Sequence, residues 1–128
     1  MSEKIQPTAD RDSTIESYYA LEPVQYGSLE SLIIKRTSDS MLWDRFDVSF
    51  QFVSSLEGAE TKCLHLDFIG VREFHLGTFD DLRVKHLTID IRSIKSDQLE
   101  GLNYHIVENE ENAVSFLCRD FSAEICDR

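Results

Sequence analysis

The sequence predicts a mainly β fold, an antiparallel two-layer sandwich or curled sheet of about seven or eight strands preceded by a short helix. Apolar and polar residues alternate at every second position from Leu32 onward, which is the period of a half-buried strand. The alternating runs are short, and polar or glycine-containing turns separate them. Because an antiparallel sheet with one apolar face needs a second layer, we expect two packed sheets. An α+β arrangement, with a helix packed on one sheet, is the alternative.

The N-terminal part of the chain predicts a short helix after a frayed segment. Residues 1–12 are polar and are expected to be frayed. Ser13 and Glu16 form a capping-box pattern, in which the serine hydroxyl accepts an unpaired backbone N–H and the glutamate reaches back. The helix is expected to run to about Leu21, because Pro23 lacks an N–H and ends it.

The next runs predict strands, two of them joined in a hairpin. The run from Phe46 to Phe52 is the clearest half-buried strand, with polar residues between its apolar ones. The segment Glu57–Glu60 supplies a turn, so this strand and the one after it should form a hairpin. The alternating apolar residues of these runs are Leu32, Ile34, Phe46, Val48, Phe50, Phe52, Leu64, Leu66 and Phe68.

The second half of the chain continues the pattern in shorter runs. Gly70 marks a bend, residues 77–81 a loop, and Asp97–Gly101 a single helical turn. The last two runs are interpreted as a second hairpin. The alternating apolar residues of this half are Phe74, Leu76, Leu87, Ile89, Ile91, Tyr104, Ile106, Val114, Phe116, Cys118, Phe121, Ala123 and Ile125.

Length and charge limit the classes of function. The 128 residues are expected to form one domain. The net charge is −11, from 24 acidic and 13 basic residues. Such a surface repels phosphate backbones and anionic lipid, so nucleic acid and membranes are not expected as partners. A basic protein partner fits this charge, and so does solubility alone.

The acidic excess is concentrated in residues 96–128, which hold eight acidic and two basic side chains. Because this segment has strand patterning, we expect a folded acidic face that is either a solvated surface or a patch that steers a basic partner. Trp43 is either a core anchor or, when exposed, an interface anchor. The candidate partner-binding residues are Trp43, Asp97, Glu100, Glu108, Glu110, Glu111 and Asp120.

The three cysteines lack the spacing of a metal knuckle or of a redox pair. They are Cys63, Cys118 and Cys126. The first residues lack the basic start and apolar run of a signal peptide, and no apolar stretch approaches membrane-spanning length. We therefore expect free thiols and a cytoplasmic location.

Histidines and carboxylates suggest an alternative metal site. His65, His75 and His86 occupy the polar positions of three consecutive predicted strands. Asp67 and Asp90 share that parity, and imidazole and carboxylate groups are ligands for zinc and similar divalent metals. The set forms a site only when the three strands are neighbours; otherwise these residues are polar side chains on the solvent side of a sheet.

Catalytic motifs are not found in the sequence. It contains no Gly-x-Ser-x-Gly elbow and no glycine-rich phosphate loop. Cys63 and His65 share a strand face, but no orienting group or oxyanion pocket is indicated. We therefore expect a protein that is not an enzyme and needs no cofactor.

Several segments of the second half, within about residues 60–125, resemble small bacterial strand-rich proteins of unknown function, some of which are grouped with immunity proteins of polymorphic toxin systems. The segments that carry the resemblance are His65–Leu76, Leu87–Ile91, Gln98–Gly101 and Phe116–Phe121. The resemblance implies a cytosolic binder that blocks a toxin, and it supplies no functional residues.

Three hypotheses follow from the sequence. The first is a non-catalytic protein-binding module, of the immunity-inhibitor type, whose acidic surface covers a basic toxin domain. The second is a metal-binding protein or metal-dependent enzyme that uses the histidine and carboxylate set. The third is a structural subunit that forms homo-oligomers through exposed strand edges.

Overall fold

The computed structural model describes residues 12–38, 44–54, 62–77, 87–97, 101–110 and 113–127. These residues form a mainly β fold, with one short α-helix, eight strands and no closed barrel within the described ranges. The elements are α1 (Ser13–Ala20), β1 (Ser28–Ser38), β2 (Asp44–Val53), β3 (Lys62–Ile69), β4 (Arg72–Leu76), β5 (Ile89–Ser93), β6 (Tyr104–Glu108), β7 (Val114–Cys118) and β8 (Asp120–Asp127). Short 3-10 turns span Pro23–Gln25 and Lys95–Asp97.

Two antiparallel sheets of four strands contain all of these strands. The first sheet has the order β1-β2-β3-β8, and the second has the order β4-β7-β6-β5. The predicted two-sheet architecture is therefore confirmed. In the part of the chain that the structure describes, no helix is long and apolar enough to cross a membrane.

The apolar core lies between the sheets and consists mostly of the alternating residues that the sequence indicated. Three of the indicated positions are instead about half exposed, because they lie on the edge strands β1 and β4 or near the start of β2: Ile34, Leu76 and Phe46. Phe50 of β2 and Phe68 of β3 contact Phe116 of β7, with ring centroids 6.3 and 5.0 Å apart respectively. All three side chains are buried. Burial of each stabilises the fold by about 1.5–3 kcal/mol, so these aromatic residues hold the two layers together.

Helix α1 is present as predicted, but its N-cap and its first residue are each one position earlier than the capping-box pattern indicated. The Asp12 carboxylate, and not the Ser13 hydroxyl, accepts the backbone N–H groups of Thr14 and Ile15, at 2.9 and 3.1 Å. Aspartate is a preferred N-cap, because its carboxylate also interacts favourably with the positive end of the helix dipole. Asp12 is buried and ordered, whereas the sequence placed it in a frayed segment.

The hairpin of β2 and β3 is confirmed, and the predicted hairpin of the last two strands is wrong. Strand β7 pairs with β6 in the second sheet, and β8 crosses to the first sheet, where it pairs with β3. Cys118 and Phe121 are both buried although they lie three positions apart. The alternation therefore shifts between them, because each faces the core from a different sheet.

The chain crosses between the sheets twice at one corner. Gly70 and Val71 separate β3 from β4, and Arg119 separates β7 from β8. The Arg119 N–H donates to the Ile69 carbonyl at 2.9 Å, so the crossings are hydrogen-bonded to each other. Gly70 has a φ of +70°, and a Cβ atom built on it would lie 3.2 Å from the Arg119 Cβ. This corner brings β3 and β8 together as neighbours.

Candidate functional site

The outer surface of β3 and β8 carries a set of polar side chains that we call the acidic sheet face. Its members are His65, Asp67, Asp120, Ser122 and Glu124. Alternate residues of β3 are buried in the core, so His65 and Asp67 point away from it. The strand register sets His65 opposite Glu124 and Asp67 opposite Ser122.

Hydrogen bonds fix the centre of the acidic sheet face. The Ser49 hydroxyl of β2 donates to Asp67 Oδ1 at 2.5 Å, and His65 Nε2 lies 3.1 Å from the same oxygen. Both contacts hold the Asp67 carboxylate in one orientation. The serine therefore donates to the carboxylate and not to the imidazole, which differs from the serine–histidine contact that nucleophilic catalysis needs.

Two basic side chains of the first sheet, Lys35 and Arg45, lie on the other half of its outer surface, on β1 and β2. Arg45 makes two contacts of 3.1 Å with the Asp47 carboxylate, which also accepts the Gly70 N–H. Lys35 lies opposite Asp47 in the strand register.

Within the described residues, the outward positions of β3 and β8 hold no lysine or arginine. Lys62, at the inward parity of β3, is exposed at the end of the strand and pairs with Asp127 there, at 2.9 Å. The acidic sheet face is therefore a local concentration of negative charge.

The structure scatters the acidic residues that the sequence grouped as partner-binding. Asp120 is exposed on the acidic sheet face, and Glu110 is exposed in the turn after β6. Asp97 lies in a 3-10 turn that begins two residues before the predicted helical turn. Trp43, Glu100 and Glu111 lie outside the described residues. Sequence reasoning missed the contribution of Asp67, which it assigned to a metal set.

Glu108 was expected on the acidic surface and is instead fully buried at the end of β6. Its Oε2 atom accepts the backbone N–H groups of Thr88 and Glu110, at 2.9 and 2.8 Å. Its Oε1 atom accepts the N–H of Ala113 at 3.0 Å. These three N–H groups lie in segments that are not paired with a neighbouring strand at that point, so the carboxylate supplies their hydrogen-bond acceptor. Glu108 therefore organises the turn and is not available to a partner.

The residues of the alternative metal set lie on both sheets. His65 and Asp67 are adjacent on β3, whereas His75 is on β4 and Asp90 on β5 of the second sheet. Asp90 accepts the Tyr19 hydroxyl at 3.0 Å and the Asn109 side-chain amide. His86 lies outside the described residues. Among the residues described, no group of three or more His, Cys, Asp or Glu side chains is arranged to hold a metal ion.

Asp12 is a buried acid whose role the sequence did not indicate. Its Oδ2 atom accepts Lys95 Nζ at 2.8 Å and the Tyr104 hydroxyl at 2.9 Å. Burial raises the pKa of Asp12, but the hydrogen bonds from Lys95, Ile15 and Tyr104 together outweigh that effect and hold the pKa below its ordinary value. The carboxylate therefore ties the start of α1 to β6. In the local sequence, the one signal that indicates a role for Asp12 is that aspartate is a favoured N-cap.

Comparison with known proteins gives one family. A family model described as "Immunity protein PIM8" matches residues 10–124, a range that includes α1, the strands β1 to β7 and the first half of β8. No curated protein matches the chain, and no solved structure matches it.

Proposed function

This chain belongs to the PIM8 family of immunity proteins, and from that premise we propose that it neutralises a protein toxin by covering a basic surface with its acidic sheet face. Family membership indicates an immunity-type binding function and a protein toxin as the partner. It also favours a non-catalytic inhibitor. Beyond family membership, we propose that the partner has a basic surface, that this chain binds it through the acidic sheet face, and that binding blocks the toxin by occlusion.

The observation that carries the proposal is the charge of the acidic sheet face. Asp67, Asp120 and Glu124 share it without a lysine or arginine among the outward side chains of the same two strands. The net charge of −11 has the same sign and extends the attraction over the whole surface. Complementary charge raises the rate at which two proteins meet and selects the partner of opposite sign.

The geometry of the face supports occlusion. Asp120, Ser122 and Glu124 are exposed, and the Asp67 carboxylate is held in place before any partner arrives. A preorganised surface loses less conformational entropy on binding than a mobile one. Hydroxyl, imidazole and carboxylate groups on neighbouring strands give donors and acceptors for a toxin surface rich in lysine and arginine.

The experiment uses a toxin domain that the unmodified chain binds, identified by screening the products of the neighbouring genes with the purified chain. The Asp120→Lys/Glu124→Lys double variant reverses two exposed charges of the acidic sheet face without removing a described side-chain contact. We expect this variant to bind the toxin domain at least about tenfold more weakly at low ionic strength, with a smaller difference at high salt. Binding is measured by calorimetry, and protection is measured as growth when both proteins are expressed together.

A matched control reverses the same number of charges elsewhere. The Glu73→Lys/Glu110→Lys double variant changes exposed residues of β4 and of the turn after β6. We expect it to bind with nearly the affinity of the unmodified chain, apart from a small long-range effect. Equal weakening by the two double variants, or none by the first, would contradict the assignment of the acidic sheet face.

A further inference from the structure

Cys63 and Cys126 form a pair that the sequence spacing did not reveal. They are directly opposite each other in the register of β3 and β8, although 63 positions separate them along the chain. Their Sγ atoms lie 2.8 Å apart. The third cysteine, Cys118, is fully buried on β7 of the other sheet. The crossing at Arg119 is what brings the pair together.

We propose that Cys63 and Cys126 are a site of reversible oxidation, at which a low-molecular-weight disulfide such as oxidised glutathione converts the two thiols into a cross-strand disulfide. This modification lies beyond the proposed binding function and does not depend on it. Both thiols are free in the structure described.

The backbone geometry of the pair suits such a bond. Residues that face each other in an antiparallel sheet have Cα atoms about 4.5–5.5 Å apart, within the roughly 4.4–6.8 Å that disulfides span. The sulfur atoms need to approach by less than about 1 Å to reach a bonding distance near 2.05 Å. Small rotations of the two side chains achieve this, and no change of strand register is required.

The difference in exposure gives the order of the chemical steps. Cys126 is half-buried and Cys63 is buried, so a small disulfide reaches Cys126 first. Burial, together with the contact to Cys126, raises the pKa of Cys63 to about 11, so this group remains a thiol at neutral pH. The more exposed Cys126 is therefore the first nucleophile.

Two exchange steps balance the reaction. The Cys126 thiolate attacks one sulfur of the small disulfide, whose S–S bond breaks, and one thiolate leaves. The sulfur of Cys63 then attacks Cys126 in the mixed disulfide, and the Cys63 proton passes to the second departing thiolate. Two protein thiols are oxidised, and the small disulfide is reduced to two thiols.

The new bond would fasten β8 to β3 and enclose the whole second sheet in a covalent loop. Closing a loop of this length removes conformational freedom from the unfolded chain, and we expect the folding equilibrium to shift toward the native state by about a hundred- to a thousandfold. The acidic sheet face occupies the same two strands, so its two halves would be locked in register.

The test uses the full chain with reduced and oxidised glutathione as the redox buffer. We expect oxidation to remove two hydrogen atoms from the intact mass, and peptide mapping to find Cys63 linked to Cys126. The Cys118→Ala variant should behave in the same way. Cys63→Ser should instead retain one glutathione on Cys126, because the resolving thiol is missing. A link that includes Cys118, dimers in place of an internal bond, or no oxidation at all would each overturn the proposal.

Unfolding by guanidinium chloride gives a second measurement. The oxidised chain should unfold at a higher denaturant concentration than the reduced chain, and dithiothreitol should reverse the shift. Cys63→Ser should show no such shift. A bond between Cys63 and Cys126 that leaves the midpoint unchanged would overturn the claim that it fastens β8.

Discussion

Replacement of Glu108 tests whether a buried carboxylate organises one end of the second sheet. Three backbone N–H groups, from Thr88, Glu110 and Ala113, donate to its two oxygen atoms at 2.8–3.0 Å. In Glu108→Gln the amide oxygen can keep the two donors that share Oε2. The amide NH₂ group then faces the Ala113 N–H, so one hydrogen bond becomes a contact between two donors.

The expected loss of stability follows from the number of hydrogen bonds that each substitution removes. A hydrogen bond to a charged group contributes about 1.5–3 kcal/mol, so Glu108→Gln should lower the free energy of unfolding by about 2 kcal/mol. Glu108→Ala removes the acceptor from all three N–H groups and should cost about 4 kcal/mol, which is large for a single substitution. The larger loss follows from buried donors that no longer have this partner.

The assay is urea unfolding followed by circular dichroism, with the slope of the transition checked for constancy. The control is Glu110→Gln, which neutralises an exposed acid two residues away and should change the free energy of unfolding by less than about 0.5 kcal/mol. If Glu108→Gln is as stable as this control, the carboxylate does not organise the turn and the reasoning is refuted.

Two further substitutions test the helix cap and the sheet corner. Asp12 has a pKa below its ordinary value of about 3.9, so the stability it contributes is present above that pH and is lost as the pH falls through the folded-state pKa. At pH 7, Asp12→Asn should therefore lower the free energy of unfolding by about 1 kcal/mol. In urea unfolding, this difference from the unmodified chain should shrink toward pH 3. A difference that stays constant with pH would contradict the role of the charged Asp12 carboxylate. Gly70→Ala should destabilise the chain by about 1 kcal/mol more than Gly101→Ala in the same assay, because both glycines have positive φ but only Gly70 has the Arg119 Cβ within reach of a methyl group. An equal loss of stability in the two glycine variants would show that the corner at Gly70 is not crowded.

The strands were predictable because their burial alternates. The run from Phe46 to Phe52 lies in β2 with Val48, Phe50 and Phe52 buried, as the period of two requires, whereas Phe46 near the start of the strand is half exposed. The final hairpin was not predictable from a single run, because one residue, Arg119, carries the chain from one sheet to the other. A short connection normally indicates a hairpin, and here the packing of both sheets on one core overrides that rule.

The site was predictable only in part. Glu108 follows Tyr104 and Ile106 at the inward parity of β6, so the signal for its burial was present in the alternation. The pairing of His65 with Glu124 and of Cys63 with Cys126 depends on which distant strand lies beside β3. No local pattern contains that information, since the two strands are far apart in sequence.

The family was predictable from the second half of the chain alone. Strand segments between about residues 60 and 125 resembled small bacterial proteins that include immunity proteins. The family model confirms this resemblance and extends it to the first half, since its match begins at residue 10. The first half added nothing earlier because its alternating runs are common to many sheets.

The position of β8 has a consequence for the order in which the molecule assembles. Its partner β3 lies before the whole second sheet in sequence, so this pairing closes a loop that contains four strands, and we expect it to form after them. Contacts between residues so distant along a chain slow folding, because the entropy of closing the loop is lost before the contacts form. A folding intermediate without β8 would expose the edge of β3 and have only half of the surface proposed to bind toxin. Competence to inhibit should therefore arise in the last step of folding.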